Sequence, residues 1–478
     1  MEAGLPADTS TERKARPASG IVHLGLGAFF RAFGCVYVAD AMAASGGDWG
    51  IIGVSLRSPD TRDALKRRDW RYQSVTLAPD SEEIRDIEVL NNVLVAPENP
   101  RAVLDAMADP AIKIVSLTVT EKGYCHNPST GALNLDHPDI QHDLTNPHPV
   151  SAPGFLVRAL EMRRTAGHMP FTVLTCDNLP ENGKLVRGMV LQLAKEIDPR
   201  LAAWIETNGR FPSTMVDRIT PATTQADIDR IAARTGISDA APVFHEPFSQ
   251  WAIEDDFVDG ARPDFAAAGA EMVTDVTAHE NMKLRMLNGT HSALAYTGYL
   301  AGHETIADTI ADPVFARYAR LLWSEIMPSV EAPKGVSLAD YADALFARYS
   351  NPSIRHRTWQ IAMDGSQKLP QRILGTLRDN MAAGRQSPGL CLAVAAWMRY
   401  GAGSDEAGQP IDVRDPLADQ MRDAAGTSDT VAGKIAAYLA LRDVFPAYVA
   451  DPLQEPVTQA AEALWTDGAR RAIEKVAK

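Results

Sequence analysis

Lys283, Asn288 and His291 stand in the stretch NMKLRMLNGTHSALAY, residues 281–296, whose other side chains read as a buried apolar helix. A lysine, a carboxamide and an imidazole suit proton transfer at a carbonyl. A lysine desolvated by apolar neighbours has its pKa drawn toward working pH, so it can protonate a carbonyl oxygen while hydride arrives at the carbon. An amide steadies the developing alkoxide without exchanging a proton. If residues 283–291 are an α-helix turning about 100° per residue, the three side chains fall on an arc of roughly 140° and converge on one cleft. The same residues also have a plainer reading. Lys283 then snorkels to solvent, Asn288-Gly289 breaks the helix, and His291 is a satisfied core histidine.

Such a set needs a scaffold, and the first half of the chain supplies its pattern. In GIVHLGLGAFFRAFGCVYVADAMA a β-like run, Ile21 to Leu24, meets Gly25 and Gly27 and then an apolar helical pattern. Glycines there allow a backbone to approach a pyrophosphate, and a helix start supplies N–H donors. Only half of G-x-G-x-x-G is present, because Phe30 occupies the third glycine position. Further strands are expected in DWGIIGVSLR, AIKIVSLTVTEKGYC and PFTVLTCDNLPENG, with helices between them. This alternation predicts an α/β fold, a mostly parallel sheet covered on both faces. Thr118, Val119, Thr120 and Glu121 follow one strand, and Asp177 and Asn178 another, at the edge where open sheets bind ligands. Helix capping and turn formation explain the same residues equally well. No acidic residue closes the second strand to hold a ribose; Arg57 stands there and suggests a 2′-phosphate. After about residue 275 helical patterns dominate. The expected organisation is a disordered extension over 1–20, a Rossmann-type domain over 21–277 and a mainly α-helical domain over 278–478.

The whole chain, 478 residues with a formal charge of −14, has an ordinary globular composition. That acidity argues against nucleic acid as a partner, which requires a basic stripe. Cys35, Cys125, Cys176 and Cys391 are scattered without a CxxC pair, so neither a zinc site nor a disulfide framework is expected. The first 20 residues have no apolar core of the signal-peptide kind, and no run of about 18 apolar residues occurs. A cytoplasmic protein acting on a small molecule, without membrane or metal, is the expectation.

Seven segments in order, VHLGLGAF, IVSLTVTEKGYC, CDNLPENG, FPSTMVDRITPAT, EPFSQWAIEDDF, MKLRMLNGTHSALAYTGYLAG and RHRTWQIAMDGSQKLPQR, carry a resemblance spanning about residues 20–415. Together they resemble the polyol-specific long-chain dehydrogenase/reductase (mannitol dehydrogenase) family, whose members include mannitol 2-dehydrogenase and fructuronate reductase. The resemblance implies a metal-independent, NAD-dependent enzyme of two domains, working as a monomer or small homo-oligomer. It implies Lys283 as general acid/base in the K-x4-N-x2-H pattern, Asn178 and Asn288 as the oxyanion pair, His291 as a substrate hydroxyl contact and Asp217 as a proton-relay residue. The cofactor would lie against Gly25, Leu26, Gly27, Ala28 and Phe29, with Arg57, Thr118, Val119, Thr120, Glu121 and Asn178 nearby. Lys368 matches a basic residue at the substrate end, and Arg357 and Arg372 join it as candidate carboxylate ligands. Two departures stand out: Phe30 and Phe33 occupy the family's two histidine positions, and Gln360 replaces an arginine common in mannitol dehydrogenases. The 355–372 region looks most like the fructuronate reductase branch. That implies interconversion of D-fructuronate and D-mannonate, with a mannitol, arabinitol or sorbitol dehydrogenase as the alternative.

Overall fold

Five short runs, Ser19–Leu24, Gly50–Ser55, Leu90–Val95, Ile114–Leu117 and Thr172–Thr175, pair into one sheet in which every neighbouring pair is parallel. The computed structural model describes residues 16–127 and 130–478. Residues 1–15, most of the expected disordered extension, lie outside the described residues; the first strand starts at Ser19, two positions before the predicted Ile21. Counted along the chain, the five strands lie in the order 3-2-1-4-5. All their carboxyl ends therefore emerge at one edge. The chain runs outward through strands two and three, then returns to the other side of strand one, so the switch point lies between Gly25 and Thr118. Every residue of Ile114–Leu117 and Thr172–Thr175 is buried, as expected where helices cover both faces. Helices Gly34–Ser45, Pro100–Ala108 and Ala152–Thr165 are among those in the crossovers, and Asn182–Ile197 follows the fifth strand. A smaller sheet pairs Thr214–Asp217 antiparallel to Gln250–Glu254 and the latter parallel to Glu271–Val273.

The first turn explains its unusual sequence. Gly25 has φ 89°, and a Cβ there would lie 2.2 Å from the Thr118 carbonyl oxygen, so the two strand ends approach as closely as bare backbone permits. Phe30 stacks flat on His23 of the first strand, ring centroids 3.3 Å apart. The space for that ring comes from Gly34, where a Cβ would lie 2.2 Å from Phe30 Cε2. The third glycine of the fingerprint allows close helix–strand packing. Here that task has moved to position 34. Phe33 enters an aromatic cluster with Phe29, Tyr37 and Trp251, at centroid distances of 5.0–5.2 Å. Both departures from the family's histidines are thus core residues.

The described residues divide into two compact units. One comprises the chain up to Val75, Glu83–Phe244 and Ser249–Val276; the other comprises Thr76–Glu82, His245–Phe248 and Thr277–Lys478. The second is built on two helices, Thr290–Leu300 and Pro388–Gly401, that are buried almost all round. Amphipathic helices such as Pro313–Ile326 and Leu338–Tyr349 turn one face to that core. No helix of the described residues is long and apolar enough to cross a membrane. The four cysteines are buried and none is disulfide-bonded.

Two glycine substitutions separate packing from ligand approach. Gly34→Ala drives a methyl into the Phe30 ring and should cost about 1–3 kcal/mol, as overpacking does. Gly27→Ala meets nothing closer than the Gly25 carbonyl oxygen at 3.8 Å and should stay within about 0.5 kcal/mol of wild type. Denaturant midpoints of the two variants check the contrast.

Candidate active site

In the first unit the site is a row of loops at the sheet's carboxyl edge. Thr118 Oγ1 donates to the Gly25 carbonyl at 2.8 Å and lies 2.9 Å from His23 Nε2, while His23 Nδ1 lies 2.8 Å from Ser116 Oγ. Burial pushes the His23 pKa down to about 3, so the ring joins the strands as a neutral hydrogen-bonding group. The Thr118 hydroxyl is thereby engaged in bridging the switch point. Leu26 is likewise structural: its side chain packs over Gly53 and its N–H donates to the Val54 carbonyl. By contrast, no backbone carbonyl among the described residues accepts from the N–H of Gly27, Ala28 or Phe29. Gly27 is exposed and presents no side chain. A helix start with free donors and a bare Cα fits the approach of a pyrophosphate.

Asp177, which follows the fifth strand, is buried and committed to the neighbouring loop. Its carboxylate accepts from Val119 N at 2.9 Å, Thr120 N at 3.0 Å and Tyr124 Oη at 2.6 Å. Burial raises its pKa, and these three hydrogen bonds oppose the rise. Asn182, fully buried, extends the lock: Nδ2 donates to the Asp177 and Thr214 carbonyls, and Oδ1 accepts from Thr214 N, all at 2.9 Å. The loop bearing exposed Asn178 is so tied to the strand that ends in buried Asp217. Sequence reasoning missed Asn182, since an Asn in NLPENG signals a turn. Glu121 and Arg57 are both exposed, Glu121 in the single turn Thr120–Gly123 and Arg57 two residues past the second strand.

The second unit carries Lys283, Asn288 and His291, all buried. Their backbone corrects the α-helical expectation. Lys283–Gly289 is a π-helix, continuous with the α-helix Thr290–Leu300. In an i→i+5 ladder residue i+5 stacks over residue i, much as i+4 does in an α-helix. The wider turn narrows the angle between Lys283 and Asn288 from the roughly 140° of an α-helix. Asn288-Gly289 does not break the helix. Gly289 is there because a Cβ would lie 2.7 Å from the Arg372 carbonyl oxygen, on a second π-helical turn, Pro370–Leu374.

Around His291 the unit gathers cations and rings. His291 stacks on Tyr349 at 5.2 Å and meets His356 edge-on at 4.7 Å. His291 Nε2 and His356 Nδ1 are buried without a hydrogen-bond partner among the described residues. Burial foremost, then the charges of His356, Arg372, Arg348 and Lys368, hold His291 well below its usual pKa. Burial and Lys368 bring His356 down to about 4. Both rings are neutral near pH 7. Arg348 is neutralised by a buried bidentate pair with Glu246, at 2.8 and 3.0 Å, and covers the Phe248 ring. Lys368 and Arg372 have no carboxylate within ion-pair distance among the described residues; Lys368 Nζ donates to the Met363 carbonyl at 2.5 Å and Arg372 to Ser292 Oγ at 3.0 Å. Burial, then the Arg372 charge, lowers the Lys368 pKa to about 8.

Arg357 does not join this group. It is exposed and faces Glu304 at 3.7 Å, an ordinary surface pair. Arg348, Tyr349, His356 and Glu246 do belong to the surroundings of His291, and sequence reasoning missed them. The only signal was the clustering of basic residues in RHR; Arg348 and Tyr349 end the helix Leu338–Tyr349, whose sequence LADYADALFARYS reads as helical without marking either residue.

The Rossmann-domain model of mannitol dehydrogenases matches residues 19–266, and the mannitol dehydrogenase C-terminal model matches residues 275–465. Among curated proteins, the uncharacterized oxidoreductase YdfI of Escherichia coli K12 is 48% identical over 90% of this chain and 88% of its own. D-mannonate oxidoreductase of the same organism is 45% identical over 99% of both chains. Among solved structures, Pseudomonas fluorescens mannitol 2-dehydrogenase in ternary complex with NAD and D-mannitol superposes with a TM-score of 0.86 at 36% identity, covering 96% of this chain and 94% of that one. With both family models matched in order along nearly its whole length, the chain belongs to the mannitol dehydrogenase family and is an oxidoreductase acting on a secondary alcohol.

Proposed function

We propose that this oxidoreductase interconverts D-fructuronate and D-mannonate with NAD(H). The observation that carries the substrate choice is the pair Lys368 and Arg372, half-buried cations without a carboxylate partner beside neutral His291. A hexuronate brings the missing carboxylate, which a polyol lacks. Full-length similarity to a D-mannonate oxidoreductase supports the same reading. A bound nicotinamide cofactor would supply the hydride, and the N–H groups of Gly27, Ala28 and Phe29 would hold its pyrophosphate. In the reductive direction Lys283 gives a proton to the C=O oxygen of the ketone while the carbon receives hydride; in the oxidative direction the lysine takes that proton back. Asn288, five residues from Lys283 on the same π-helical turn, and Asn178 donate to the developing alkoxide. Neutral His291 offers Nε2 to a substrate hydroxyl, and Asp217 relays the proton onward. Exposed Arg57 supports no particular preference at the ribose, and the NAD complex of the solved relative favours NAD(H) here.

Lys283→Ala should lower kcat by orders of magnitude while NADH affinity, measured by fluorescence titration, stays near wild type. Retained turnover would remove Lys283 from the proton-donor role.

Substrate choice is read from kcat/KM on mannonate against mannitol, with mannonate expected to be far superior. Lys368→Met should reduce the mannonate value roughly 10- to 100-fold, the loss of one charge-assisted hydrogen bond, and leave mannitol little changed. In the wild type the Lys368 ammonium loses its proton as pH rises through about 8. The KM for mannonate should therefore climb across that range while the KM for mannitol does not. Equal efficiency on mannitol, with no selective effect of the substitution or of pH, would assign the protein to the polyol dehydrogenases.

Parallel titrations with NADH and NADPH test the cofactor, the expected outcome being clear preference for NADH. Preference for NADPH would instead make Arg57 a 2′-phosphate ligand.

A further inference from the structure

A π-turn is unstable in isolation, because its wider ladder forfeits the regular i→i+4 bonds, so something outside the helix must select it. Two buried side chains meet successive carbonyls in the middle of Lys283–Gly289. Trp323 Nε1 donates to the Met286 carbonyl at 3.1 Å, and Tyr349 Oη donates to the Leu287 carbonyl at 2.8 Å. Trp323 and Tyr349 come from different helices, Pro313–Ile326 and Leu338–Tyr349, and their rings stack on each other at 6.2 Å. The Tyr349 ring also lies along His291. One side chain thus touches the carbonyl just before Asn288 and the face of the imidazole three residues beyond it. From the far side, the Arg372 carbonyl closes on Gly289, where no side chain fits.

We propose that Trp323 and Tyr349 are positioning residues, which hold residues 283–289 in the i→i+5 register and thereby keep the angle between Lys283 and Asn288 narrow and His291 facing the same substrate. Neither touches the reacting atoms. In an α-helical register Asn288 would swing about 140° from Lys283, leaving the developing alkoxide with its proton donor and without one amide. The Tyr349 hydroxyl and the Trp323 indole N–H supply acceptor-matched donors at the two carbonyls, and their stacked rings fix both donors at once. The inference rests on the proposed roles of Lys283 and Asn288.

Tyr349→Phe tests it most gently, since it deletes one oxygen and keeps the ring on His291. The full-length variant should fold, bind NADH with wild-type affinity and show a KM changed less than about threefold. Its kcat should fall on the order of 10- to 100-fold, the scale for about an ångström of misplacement. The acid–base limb of the kcat/KM pH profile should also move, because the surroundings of the proposed proton donor change. Trp323→Phe, which removes the other donor and keeps an aromatic ring, should show the same split and decides the matter should Tyr349→Phe fail to fold. A folded variant with unchanged kcat and pH profile overturns the proposal, as does a kcat loss that merely follows lowered thermal stability. If Lys283→Ala remains active, the underlying reading has failed; if Lys283→Ala is inactive and both aromatic variants behave as wild type, only the positioning role has.

Discussion

Asp177 is the group on which the carboxyl edge of the first unit's parallel sheet depends. A carboxylate withdrawn from water is tolerated only where donors surround it, and this one has two backbone N–H groups and a phenol. It fixes the loop after the fourth strand to the end of the fifth. Thr120, held at φ 63°, can keep that left-handed conformation because its N–H is pinned by the same carboxylate. Asn182 passes the constraint on to Thr214 and so to the strand bearing Asp217. Three loops that would otherwise be independent at a sheet edge behave as one piece.

The scaffold was legible where burial is two-sided. Ile114–Leu117 and Thr172–Thr175 read as strands because nearly every position is apolar or β-branched. The edge strand Leu90–Val95 escaped notice because Asn91 and Asn92 interrupt it, with Asn91 turned to the Pro17 carbonyl and Ser19. Lys283, Asn288 and His291 were legible as a group from spacing and family likeness, but their backbone was not. Nothing in Leu284-Arg285-Met286-Leu287 distinguishes a π-turn from an α-turn; the choice comes from Trp323 and Tyr349, 37 and 62 residues away. The same holds for the glycine at position 34, whose meaning appears only once Phe30 is seen on His23.

Charge in the second unit is arranged by subtraction. Burial keeps His291 and His356 neutral, and the neighbouring cations make protonation costlier still. Glu246 pairs with Arg348. Lys368 and Arg372, which have no carboxylate within ion-pair distance among the described residues, add positive charge beside these neutral rings. An imidazole that cannot protonate keeps one nitrogen as a lone-pair acceptor at working pH, which suits contact with a hydroxyl better than with an anion.

The second unit is not one continuous stretch of chain, since it takes in Thr76–Glu82 and His245–Phe248. Those short pieces are not incidental: Glu246 neutralises Arg348, and the Leu77 carbonyl accepts from Asn351 Nδ2 at 2.9 Å. During synthesis both pieces leave the ribosome before the helices that need them. The earlier part can form its parallel sheet as it emerges, yet the contacts of these two segments with Arg348 and Asn351 must wait for residues near 350. The later helices cannot bury Arg348 without them, because an unpaired guanidinium in that interior is strongly unfavourable. Assembly around the helix that bears Lys283 thus waits for residues near 350, so a nascent or truncated product that stops short of them is left without an ordered surrounding for Lys283.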